Sequence, residues 1–185
     1  QPGAWHKAEM GLIKKKICLL GAFAVGKTSL TERFVNGRFE EKYLTTVGVK
    51  ISQKVMPPVQ APGGGQMVQH AFLIWDIAGL EKFDHVADNY YRGASGALAV
   101  ADLTRPDTID DLERFGVRFR SVNPGAQLVL IGNKADLFDG DRGTLGRLKG
   151  LSREYATACL LTSAKSGARV EEAFLELSRR IEGFA

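Results

Sequence analysis

The stretch GAFAVGKTS, residues 21 to 29, decides how the rest of the chain is read. Before it lies the apolar run KICLLG (16–21), which reads as a buried strand. After it comes GKTSLTERFVNG (26–37), with helical periodicity. Gly21, Gly26, Lys27 and Thr28 match G-x-x-x-x-G-K-[ST], in the strand-to-helix setting that this pattern requires. Its chemistry is that of a phosphate cradle. Backbone amides and the positive end of the helix dipole face the anion, Lys27 supplies a point charge, and the Thr28 hydroxyl is suited to magnesium. Gly21, Phe23, Ala24, Val25, Gly26, Lys27, Thr28 and Ser29 are therefore the expected phosphate contacts. Phe23 stands out, because a bulky aromatic occupies a turn that must wrap closely around its ligand.

Working outward, apolar runs recur at VGVKISQKV (47–55), HAFLIWD (70–76), GALAVADL (96–103), AQLVLIGNK (126–134) and ACLLTSA (158–164). Helical periodicity falls at FDHVADNYYRG (83–93), DTIDDLERFGVRFRSV (107–122), TLGRLKGLSREYA (144–156) and VEEAFLELSRRIEGF (170–184). Alternating strands and helices predict a three-layer α/β fold, a doubly wound, six-stranded and mostly parallel sheet flanked by about five helices. The second and third strands are joined by MPPVQAPGGGQMVQ (56–69), a hairpin-type connection, so that pair is expected to be antiparallel. Residues 57 to 65 within it read as a disordered loop.

The chain of 185 residues suits one domain, and its 44% hydrophobic and 25% charged residues suit a globular one. No apolar run approaches the roughly 20 residues that span a bilayer. The net charge of +4 comes from 25 basic and 21 acidic residues interspersed along the chain, which argues against a nucleic-acid partner. Cys18 and Cys159 sit in short apolar segments and read as reduced, buried thiols rather than a disulfide framework. No zinc spacing and no serine or cysteine triad pattern is present.

Base recognition is read from GNKAD (132–136). The Asp136 carboxylate suits the imino N–H and exocyclic amine of guanine, where adenine presents an acceptor. Buried acceptors left unpaired cost about 1–3 kcal/mol each, so ATP is expected to be rejected. Asn133 is expected to brace the loop and the Lys134 stem to lie along the base. In TSAKSG (162–167), Ser163, Ala164 and Lys165 complete the base site, with the Ala164 amide directed at the guanine carbonyl.

Together these motifs make the chain resemble a Ras-superfamily small GTPase, most similar to the Rab branch, over about residues 12 to 183. Trp75 before the motif aspartate, TTVGVKI (45–51) and NYYRGASGALAVADLT (89–104) carry the Rab likeness. The resemblance implies a GTPase domain over residues 12–185 behind a flexible N-terminal extension, 1–11. It also implies roles: Phe39 edge-on to the guanine, Tyr43 over the phosphates, Thr46 as the switch ligand of magnesium, Asp76 holding magnesium through water, and Gly79 donating its amide to the γ-phosphate. The bound groups it implies are GTP or GDP with Mg2+. Effectors, exchange factors and GTPase-activating proteins are the implied partners, engaged through residues 40–52 and 77–95. A monomer is expected, in the cytoplasm. No membrane anchor is expected within these residues, so membrane association is expected only through partners or a longer tail.

Two departures bear on catalysis, for which Lys27, Gly79 and Leu80 are the candidate positions. In this superfamily a glutamine orients the attacking water, and an arginine finger contributes about 10³–10⁵ in rate. Leu80 stands at the glutamine position and can neither donate nor accept a hydrogen bond. Phe23 stands where the family carries a small residue, and its ring would crowd the space beside the γ-phosphate, against Leu80. The expectation is a switch with slow hydrolysis. The alternatives are a competent GTPase using a noncanonical water positioner, with His85 and Glu81 as candidates, or one supplied by a partner, or a non-hydrolysing binding module.

Overall fold

The computed structural model describes residues 10–39, 48–78 and 84–183. Its elements run β1 (Leu12–Leu20), α1 (Lys27–Asn36), β2 (Gly48–Val55), β3 (Val59–Gln60), β4 (Met67–Ala78), α2 (Asp84–Tyr91), β5 (Gly96–Asp102) and α3 (Asp107–Val122). They continue with β6 (Gln127–Asn133), a 3-10 turn (Ala135–Leu137), α4 (Arg142–Glu154), β7 (Cys159–Leu161) and α5 (Val170–Ile181). The strands line up as β2-β4-β1-β5-β6-β7. Only the pairs that β4 makes with β2 and β3 are antiparallel; the rest are parallel.

Side chains alternate across the strands, and that alternation builds two cores. On one face Cys18 and Leu20 of β1 and Ala97, Ala99 and Ala101 of β5 meet Ile109, Leu112, Phe115 and Phe119 of α3. On the other, Ile17, Leu19, Leu98 and Val100 meet α1 and α5, where the Phe34 and Phe174 rings stack at 4.0 Å. The α3 residues recur every three or four positions, as one buried helix face demands. Lys16, last of the basic run, lies 3.7 Å from the Trp75 ring centre and donates to Arg92 O. Burial pushes the Cys18 thiol up to about 12 and Cys159 up to about 11, so neither is a ready thiolate.

The sheet has seven strands where six were expected, and the extra one lies in the tract read as disordered. β3 pairs Val59 with Val68 and Gln60 with Met67. The turn beyond it is closed by Ala61 N–H on Gln66 O at 2.7 Å and by Gln60 Nε2 on Gly64 O at 2.9 Å. Apolar anchors override the Pro- and Gly-rich composition: Met56 and Val59 are buried, Met56 in the core beneath α5. Beside them the fully buried His70 bridges β4 to the end of α5, with Nδ1 2.8 Å from Ser178 Oγ and Nε2 2.7 Å from Glu182 Oε1.

Of the expected N-terminal extension, only Met10 and Gly11 fall among the described residues. No helix among the described residues is long and apolar enough to cross a membrane.

Candidate nucleotide site

β1 ends in the middle of the sheet, between β4 and β5, and its carboxyl end opens into the glycine-bearing loop. Gly21 leaves the strand at φ +145°, and a Cβ there would stand 2.3 Å from Val100 O of β5. Gly26 precedes α1 at φ +105°, where a Cβ would stand 2.2 Å from Asn133 Nδ2. Both positions require glycine, for conformation and for space.

Five successive carbonyls of this loop are held by side chains. Lys27 Nζ donates to Gly21 O at 2.7 Å and to Ala22 O at 2.9 Å, which fixes the buried ammonium inside the turn. The next three are held from outside the loop. Arg105 donates to Phe23 O at 2.8 Å, Lys134 Nζ to Ala24 O at 3.0 Å, and Asn133 Nδ2 to Val25 O at 3.0 Å. Peptide units are planar, and no cis bond occurs among the described residues, so each held carbonyl turns the following N–H the opposite way. The amides of Ala24, Val25 and Gly26 are thereby directed together, a concave set of donors ahead of the α1 N-terminus. Phe23 contributes backbone to this set, while its side chain is 55% exposed.

The base-side residues pack directly against the loop. Asn133, at the end of β6, is buried, and its Oδ1 accepts from Thr162 Oγ1 at 3.1 Å and from the Ala164 amide at 3.3 Å. That amide, expected at the guanine carbonyl, has Asn133 as its partner here. Lys134 adopts φ +64° and extends its ammonium past the mouth of the site to Asp102 Oδ2 at 2.8 Å. Asp136 is exposed, and its Oδ1 accepts from the buried Ser163 hydroxyl at 2.8 Å. Arg33 of α1 clamps the 163–165 turn by donating to Ala164 O at 2.8 Å and to Lys165 O.

Asp102, Arg105, Arg33 and Thr162 escaped the motif reading. Asp102 carried a signal nonetheless, as a lone acid closing the small apolar run GALAVAD. Its burial alone would raise its pKa. Hydrogen bonds from Lys134, Thr104 and Arg105 outweigh that and hold it below the ordinary value. Phe39, expected against the base, packs partly buried against the core between α1 and α5. Tyr43, Thr46, Gly79, Leu80 and Glu81 lie outside the described residues, as does the side chain of His85.

The metal expectation can be tested on Thr28 and Asp76. Thr28 Oγ1 donates to Asp76 Oδ2 at 2.5 Å, while Asp76 Oδ1 is buried without a partner. Burial pushes the Asp76 pKa up, against the opposing hydrogen bond from Thr28 and the Lys27 charge. An orphaned, desolvated carboxylate oxygen beside a hydroxyl fits a divalent cation. Among the described residues no cluster of three or more His, Cys, Asp or Glu side chains could hold a metal. Magnesium held by one or two side chains, water and ligand phosphates needs none.

A carboxyl with a raised folded-state pKa adds stability below the ordinary carboxylate range and loses it as pH rises through the raised value. Above that acid range the buried Asp76 carboxyl therefore costs the metal-free protein stability. Asp76→Asn is expected to raise the melting temperature in EDTA by a few degrees, on the order of 1 kcal/mol. It should also remove most of the effect of Mg2+ on nucleotide release. Thermal melts and release rates with and without Mg2+ check both; an unchanged Mg2+ effect would exclude Asp76 from the metal site.

A phosphate-binding loop at a strand-to-helix turn, backed by an Asn-Lys-x-Asp segment, defines a P-loop nucleotide-binding protein. Residues 16–183 match the family model described as "Ras family". Ras-related protein Rab-31 of Rattus norvegicus is 34% identical over 173 residues, covering 93% of this chain and 85% of that protein. Ras-related protein Rab-22A of Homo sapiens is 36% identical over 173 residues, with 93% and 86% covered. Ras-related protein Rab-4B of Homo sapiens is 35% identical over 167 residues, with 90% and 75% covered. The chain belongs to the Ras family, in its Rab branch: a GTP-binding small GTPase of the molecular-switch class.

Proposed function

We propose that this protein is a guanine-nucleotide switch that binds GTP and GDP with Mg2+, recruits effectors in the GTP state and hydrolyses GTP slowly. The observation that carries the binding part is the contact between the two motifs. Asn133 and Lys134, adjacent to the base-reading Asp136, each hold a carbonyl of the phosphate loop, so both ends of one nucleotide are served by one braced unit. Gly21, Phe23, Ala24, Val25, Gly26, Lys27, Thr28 and Ser29 serve the phosphates. Asn133, Lys134, Asp136, Ser163, Ala164 and Lys165, with Phe39, serve the base. Thr28, Thr46 and, through water, Asp76 would hold Mg2+, while Tyr43 would lie over the phosphates and Gly79 would donate its amide to the γ-phosphate. Bound magnesium supplies charge neutralisation at the phosphate oxygens. Effectors, exchange factors and activating proteins engage residues 40–52 and 77–95.

Slow hydrolysis rests on Leu80, at the position of the superfamily's water-orienting glutamine, and on Phe23, where the family carries a small residue. The test is single-turnover phosphate release at saturating Mg2+ for the unaltered chain, Leu80→Gln, Phe23→Gly and the double variant. The unaltered chain and Phe23→Gly are expected to be slow and Leu80→Gln to gain little. The double variant should be at least tenfold faster, a non-additivity expected of residues that share one space. Fast release by the unaltered chain would overturn the slow-switch reading and favour a competent GTPase with another water positioner, with His85 and Glu81 the next to alter.

A further inference from the structure

We propose that Arg105 is a positioning residue of the phosphate loop, acting with the buried Asp102 to hold Ala24 in a backbone conformation it would otherwise leave. Ala24 sits at φ +61°, in the left-handed region that non-glycine residues avoid at a cost of roughly 1 kcal/mol or more. The loop must be held there from both sides, and it is. Ala24 lies between two peptide units. The carbonyl of the first, Phe23 O, accepts from Arg105, and the carbonyl of the second, Ala24 O, accepts from Lys134.

Both cations converge on one carboxylate. Arg105 Nε lies 3.1 Å and Lys134 Nζ 2.8 Å from Asp102 Oδ2, while Thr104 donates its amide and hydroxyl to Oδ1. Asp102 is 1% exposed and closes β5, so the clamp is anchored in the sheet rather than in a surface loop. The planar guanidinium spans both partners, with Nε on Asp102 and a terminal nitrogen on Phe23 O. Because the peptide is trans, fixing Phe23 O outward fixes the Ala24 N–H inward, toward the phosphates. The β5–α3 turn, which carries no nucleotide motif, thereby sets one of the phosphate donors. It also ties that donor to Lys134 on the base side.

This inference rests on the guanine-nucleotide reading above, and the experiment separates the two. Release of a fluorescent GDP analogue from the full chain is followed in Mg2+ for the unaltered protein, Arg105→Ala and Arg105→Met. Each Arg105 variant is also made in the Ala24→Gly background. Loss of one charge-assisted hydrogen bond should speed release about tenfold, and equally in Arg105→Met, which keeps the apolar stem. Glycine is at ease at φ +61°, so with Ala24→Gly present the same loss should speed release no more than about threefold. Release within twofold of the unaltered rate in Arg105→Ala, a normal rate in Arg105→Met, or equal acceleration in both backgrounds would overturn the positioning role while leaving the nucleotide reading intact. An unaltered chain that binds no guanine nucleotide would overturn both.

Discussion

Lys27→Ala is expected to abolish tight nucleotide binding, with affinity falling at least about a hundredfold. Lys27 is 7% exposed and its ammonium is held by the Gly21 and Ala22 carbonyls, so its position is set by the loop it serves. Removing it deletes the one side-chain cation that the loop sequence itself supplies against the polyphosphate. It also strips two carbonyls of their donor, and a buried acceptor without a partner costs about 1–3 kcal/mol. The neutral amides that remain cannot replace a charge-assisted contact, which is roughly twice as strong as a neutral one. Nucleotide content after purification and titration with fluorescent GDP measure the loss. Retention of one nucleotide per chain would show that the loop binds without its lysine.

Gly26→Ala should be of comparable severity for a different reason. A methyl group at this position meets the Asn133 amide nitrogen at 2.2 Å, well inside any contact distance, in a backbone conformation that alanine rarely adopts. Asn133 cannot simply withdraw. Its two ends hold Val25 O, Thr162 and the Ala164 amide, so displacing it loosens the phosphate loop and the base-side turn together. The expected result is a fall in affinity of at least about fiftyfold, with a lower melting temperature in the same variant. Binding within a fewfold of the unaltered protein would mean that the loop has room that the geometry does not give it.

Much of the fold was legible because the strong signals were local and consistent. The β5 run GALAVAD is buried along its whole length, and the helical periodicity from 107 to 122 forms a helix over Asp107–Val122. The extra strand was not legible. Proline and glycine between residues 57 and 65 argue locally for a loop, and what fixes Met56 and the β3 segment is a distant partner, α5, which no local pattern reveals. The same division holds in the site. Gly21, Gly26, Lys27 and Thr28 announce themselves by spacing, as do Asn133 and Asp136. Arg105 and Asp102 reach the site through contacts across 82 and 32 residues of sequence, to Phe23 and Lys134. Phe39 came from family position alone, and its ring packs partly buried against the core.

A guanine-nucleotide switch requires that the braced unit of Asp136, Asn133 and the phosphate loop select guanine. The most direct measurement is the affinity of the full chain for fluorescent GDP and ADP, side by side in Mg2+ and then in EDTA. Two acceptor contacts from Asp136, each worth about 1–3 kcal/mol when left unpaired, predict a preference for GDP of at least a hundredfold. EDTA should weaken GDP binding through the Thr28 and Asp76 pair. ADP binding within tenfold of GDP, with EDTA changing neither, would contradict the assignment of the base site and of the metal site together.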